Sequence, residues 1–132
     1  MSPAGAAPPP RTRTIIRFAM LSGILALYGA AWWLRRGGRV PDAPASSVRA
    51  LELALVAATA FGAAAILFLA VRLPSMPRER EPVAAMAMLG IGEAVAVLGG
   101  VTFLQGGAPR ALAFGLLTFL VALAASRPGA AR

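Results

Sequence analysis

Few side chains in this sequence could carry acid–base, nucleophilic or metal chemistry. There is no His, no Cys and no Lys; all 13 basic residues are Arg, and there are 5 acids. Asp42, Glu52, Glu79 and Glu81 lie in connecting segments or at the edge of an apolar stretch, whereas Glu93 stands ten residues inside one. An ionised carboxylate at the centre of a bilayer costs about 2.5–3.5 kcal/mol on insertion scales. Desolvation favours the neutral acid. Such a group pairs, faces other helices, or takes part in ion movement. Two readings of Glu93 follow. It is a protonated carboxyl that glues helices together, hydrogen-bonded to Ser22, Tyr28 or Thr59 or across an oligomer interface, or it is a site that binds a proton or cation. One buried acid cannot form the acid–base pair of a hydrolytic enzyme. Without His, Cys or Lys, the expectation is a protein that is not an enzyme, with no metal site and no cofactor.

The elements that must position Glu93 follow from hydrophobicity. The chain has 132 residues, of which 58% are hydrophobic and 14% charged, and a mean hydropathy of +0.73. So short and apolar a chain has too little polar surface to cover a soluble globule, and disorder goes with the opposite composition. A helix needs about 20 apolar residues to cross a hydrocarbon core of about 30 Å. Four stretches qualify or nearly so: residues 14–34, 49–71, 83–104 and 109–126. The fourth is short, and its framing Arg110 and Arg127 suit snorkelling or local thinning of the bilayer. Arg17 stands within a turn of the start of the first span and is expected to snorkel; Trp32 and Trp33 close that span, at interface depth. The predicted fold is an all-α integral membrane four-helix bundle in the cell membrane. A flexible tail (1–13) precedes one transmembrane domain (14–126), and a short polar tail (127–132) follows. The rival reading of the first span is a cleaved signal peptide, with Gly29 and Ala31 as small residues near the cut. The length of the apolar run and the two Trp favour a retained span.

Four spans put both termini on the same side. The N-terminus, second loop and C-terminus carry Arg11, Arg13, Arg17, Arg72, Arg78, Arg80, Arg127 and Arg132; the other side carries Arg35, Arg36, Arg39, Arg49 and Arg110. The positive-inside rule then makes both termini cytoplasmic. The net charge of +8 is spread over span ends instead of forming one stripe interleaved with aromatics, so the expected partner is the lipid bilayer and not nucleic acid.

Helices in lipid associate where small residues let backbones approach. Ala54, Ala58 and Gly62 recur at steps of four, as do Gly92, Ala96 and Gly100, and Ser22, Ala26 and Ala30; the fourth span offers Ala111 and Gly115, then Thr118 and Ala122. Four such stripes facing a common axis would make a compact bundle. Thr59, Thr102 and Thr118 can bond to the carbonyl one turn back. Met76, Met86 and Met88 read as packing or lipid-facing residues. Gly106 and Gly107 are placed to end one helix, and Pro109 to open the next.

The string GEAVAVLGGV, residues 92–101, resembles the second helix of rotary ATP synthase c subunits, the proteolipids, through Glu93, Ala94, Gly99 and Val101. The preceding RERE and Pro82 are similar to the cytoplasmic loop of those hairpins. The resemblance implies that Glu93 takes and releases a proton during rotation. The size and four-span plan are similar to small multidrug-resistance exporters, but that family's essential Glu is in the first helix, where this chain has none. The leading expectation is a non-enzymatic accessory or structural subunit that packs with itself or with a larger membrane complex. The alternative is a proton- or cation-coupled translocator or ring-type subunit centred on Glu93.

Overall fold

The computed structural model describes residues 10–127. It contains helices α1 (Pro10–Arg36), α2 (Ala45–Arg72), α3 (Glu81–Leu104) and α4 (Arg110–Ala125), with one 3₁₀ turn at Leu73–Ser75 and, among the described residues, no strand. Three helices, α1 to α3, are long and apolar enough to cross a membrane; α4 is shorter. The first three helices begin two to four residues before the apolar stretches, because hydrophobicity marks the apolar part of a helix and not where it starts. Pro10 opens α1, a position where its missing N–H costs nothing, so Arg11 and Arg13 of the expected tail are helical. Residues 1–9 and 128–132 of the two predicted tails lie outside the described residues.

Two helices end in the same way. Arg39 N–H donates to the Leu34 carbonyl and Gly38 N–H to that of Arg35; at the other site Gly107 N–H donates to Thr102 and Gly106 N–H to Phe103. Each is a Schellman cap, whose turning residue must adopt positive φ. Gly38 (φ 62°) and Gly106 (φ 119°) are those residues. The loops that follow meet at one end of the molecule, where Ala43 N–H donates to the Gln105 carbonyl.

The α3 helix is the hub. At about 100° per residue, its buried positions from Ala84 to Phe103 occupy an arc of roughly 160°. Gly92 and Gly99 lie near the middle of that arc, where added Cβ atoms would stand 2.7 Å from Ala122 Cβ and 2.5 Å from the Ala111 carbonyl oxygen, so α4 packs there. One edge holds Gly100, facing Leu27 and Tyr28 of α1. Beyond Val95 at the other, a Cβ at Gly62 of α2 would sit 3.1 Å from Val95 and 3.2 Å from Ile91. The α1 and α2 helices thus flank an intimate α3–α4 pair. The four small-residue stripes do not share one axis. Those of α3 and α4 meet, but Ser22, Ala26 and Ala30 are all exposed, as is Ala54, and Ala58 is half-buried. The face α1 turns inward is Ile24, Tyr28 and Ala31. Bulkier side chains fit there because the room is made by glycines on the partner helices.

Candidate functional site

Glu93 lies midway along α3, about 18 Å from its start. It is half-buried. It falls about 20° beyond Gly100, just outside the buried arc on the side facing α1. Among the described residues it has neither a hydrogen bond nor an ion pair. None of the three expected partners reaches it. Ser22 is exposed. Thr59 Oγ1 donates to its own helix, at the Leu55 carbonyl (2.7 Å). Tyr28 Oη donates to the Ala96 carbonyl at 2.9 Å, in the core. Thr102 and Thr118 likewise bond back one turn, to Leu98 and Phe114. Among the described residues no three His, Cys, Asp or Glu side chains converge as metal ligands.

Tyr28 is held by a slot that needs glycine. A Cβ at Gly115 would fall on its hydroxyl and lie 2.9 Å from Ala96 Cα; Cβ atoms at Gly99 and Gly100 would stand 3.3 Å and 3.4 Å from the phenol. The ring joins Ile24, Leu89, Ala96 and Phe119 in the cluster where α1, α3 and α4 meet.

Two arginines do more than the sequence reading expected. Arg17 does not simply reach toward headgroups: its Nη1 donates to Ser126 Oγ at 2.7 Å and its Nη2 to the Leu123 carbonyl, at the C-terminal end of α4. Arg35 Nη1 donates to the Phe103 carbonyl (2.6 Å) and the Gly107 carbonyl (3.1 Å), at the end of α3. The last carbonyls of a helix have no intrahelical donor, and that end carries partial negative charge, so a guanidinium suits it on both counts. Arg17 and Arg35 are eighteen residues apart, five helical turns or about 27 Å. They therefore lie on one face of α1, together with Ile24, Tyr28 and Ala31. That periodicity was visible in the sequence, but nothing there says that two helix C-termini stand opposite its ends.

At the loop end, Arg35 Nη2 pairs with Asp42 at 3.6 Å and Arg110 with Glu52 at 3.9 Å. Arg35 also lies over the Phe103 ring, 5.1 Å from its centroid, and Trp32 stacks on that ring at 5.6 Å. A cleft of about 290 Å³ between α2 and α4 is lined by Glu52, Leu55, Val56, Arg110, Ala111 and Phe114. Its one ion pair is spent internally, and its walls otherwise offer no catalytic side chain. The chain matches no family model, no curated protein and no solved structure.

Proposed function

We propose that the chain is a four-span protein of the cell membrane with both termini cytoplasmic. We further propose that it performs no catalysis and serves as an accessory or structural subunit that packs with itself or with a larger membrane complex. The observation that carries this reading is Glu93: half-buried, midway along α3 and without a partner among the described residues, while Tyr28, Thr59, Thr102 and Thr118 are all satisfied within the chain. A carboxyl in hydrocarbon gains by finding a polar partner, and a second chain laid against the α1–α3 side would supply one. The fourth span is supported by the treatment of its ends. The α4 helix is about 24 Å long, Arg110 stands at its start, and Arg17 satisfies its C-terminal end; modest thinning of the bilayer makes up the difference.

The same partial exposure favours a second reading, in which Glu93 binds a proton or cation in a translocator or ring-type subunit, as the proteolipid resemblance implies. Glu93→Gln and Glu93→Leu separate the two. On the accessory reading, native mass spectrometry in mild detergent shows the assembly kept by Gln, which still hydrogen-bonds, and lost by Leu; neither wild type nor variant conducts protons in vesicles. On the translocator reading, wild type conducts protons and labels with dicyclohexylcarbodiimide, and Gln loses both while staying assembled. Unchanged assembly in both variants, with no flux in wild type, refutes both readings.

A further inference from the structure

Arg35 and Arg110 at one end of the molecule and Arg13, Arg17 and Arg127 at the other differ in their partners. At the loop end, Arg35 and Arg110 each have an acidic partner, Asp42 and Glu52. At the opposite end Arg13, Arg17 and Arg127 gather with no acidic partner among the described residues: Arg13 stands one turn before Arg17 on α1, and Arg127 follows Ser126, to which Arg17 donates. Holding three like charges together near a low-dielectric boundary is unfavourable unless an anion joins them. Arg17 is also fixed in place. Two of its donors are committed to Ser126 and Leu123, and a guanidinium has others left for an incoming phosphate. Directly alongside runs a cleft of about 180 Å³ lined by Thr14, Arg17, Phe18, Leu21 and Leu123. Apart from Thr14 and the Arg17 head, its walls are hydrocarbon. Guanidinium donors above an apolar cleft, where the membrane-length α1 lies against the shorter α4, have the chemistry of one class of ligand.

We propose that this end of the α1–α4 seam binds an anionic phospholipid, with its phosphodiester on Arg13, Arg17 and Arg127 and an acyl chain along Phe18, Leu21 and Leu123. The bound lipid would neutralise the cluster and fill the gap beside the short α4 helix. The proposal rests on the chain lying in a bilayer and not on the role of Glu93, so the two fail separately.

The test is native mass spectrometry of the full chain in detergent, titrated with phosphatidylglycerol and with phosphatidylcholine of identical acyl chains. Arg17 is left intact because it also caps α4. Each basic residue near an anionic lipid contributes roughly fivefold in affinity, so Arg13→Gln with Arg127→Gln is expected to weaken phosphatidylglycerol binding roughly 25-fold. Phosphatidylcholine binding is expected to be weak and unchanged. The matched control is Arg78→Gln with Arg80→Gln, which removes the same charge from exposed positions of the adjoining loop and is expected to leave phosphatidylglycerol binding within twofold. Equal binding of the two lipids overturns the proposal. So does an equal loss in the control pair, which would reduce the effect to general surface charge.

Discussion

Tyr28 and Gly115 give the sharpest test of how the helices are held. Replacing Tyr28 by Phe deletes one buried hydrogen bond, from Oη to the Ala96 carbonyl. That carbonyl keeps its helical donor four residues on, so no buried acceptor is orphaned and the cost is that of the bond itself, about 1 kcal/mol. Replacing Gly115 by Ala is a different perturbation. The new methyl falls on the Tyr28 hydroxyl and lies 2.9 Å from Ala96 Cα. The hydroxyl can withdraw, but backbone cannot, so α3 and α4 must part. Overpacking costs about 1–3 kcal/mol, and with backbone in the way the upper end applies. The gain in helix propensity from Gly to Ala returns about 1 kcal/mol, leaving a net destabilisation of about 2 kcal/mol. In the double variant the phenol oxygen is already gone, so part of the clash is relieved. The combined loss should fall short of the sum by about 0.5–1 kcal/mol. Equilibrium unfolding in mixed micelles, followed by helical circular dichroism, gives all three values. A neutral Gly115→Ala, or a double variant that is strictly additive, would show that Tyr28 does not occupy the α3–α4 slot.

Two further outcomes can be checked with the same preparations. Arg35→Gln removes the charged donor to the Phe103 and Gly107 carbonyls, of which Phe103 keeps the Gly106 N–H, and the loss of these charge-assisted bonds is expected to destabilise by about 2 kcal/mol. Asp42→Asn removes only an exposed partner at 3.6 Å and is expected to cost under about 1 kcal/mol; equal losses would mean that the ion pair, and not the cap, is what matters. Reporter fusions at the C-terminus and within residues 37–44 should report opposite sides of the membrane. The same side for both would remove one span, the short α4 first.

The sequence by itself determined that this is a helical chain with stretches long and apolar enough to cross a membrane, and where those stretches run. Hydrophobicity over a length matched to the bilayer is a local property, as are the glycines at the caps: Gly38 and Gly106 stop their helices wherever those helices pack. It also singled out Glu93, because a lone acid in an apolar run is conspicuous without any neighbours. Only the tertiary structure decided which faces meet. Ser22, Ala26 and Ala30 have the spacing of a contact stripe, but in a chain so rich in small residues that spacing also arises without a contact, as at the exposed Ala19 and Gly23 of the same helix. The face α1 turns inward holds Ile24 and Tyr28, which fit because Gly99, Gly100 and Gly115 on two other helices make the room. The partners of Arg17 and Arg35 were equally out of reach of the sequence. Each guanidinium finds carbonyls about 70 to 110 residues away in the chain, and a helix end offers them only once another helix is laid beside it. That Glu93 has no partner among the described residues is a tertiary fact as well. Tyr28 and Thr59 were plausible by depth, but each satisfies its hydroxyl on a nearer carbonyl, and the carboxyl is left at the outer edge of the α3 contact arc.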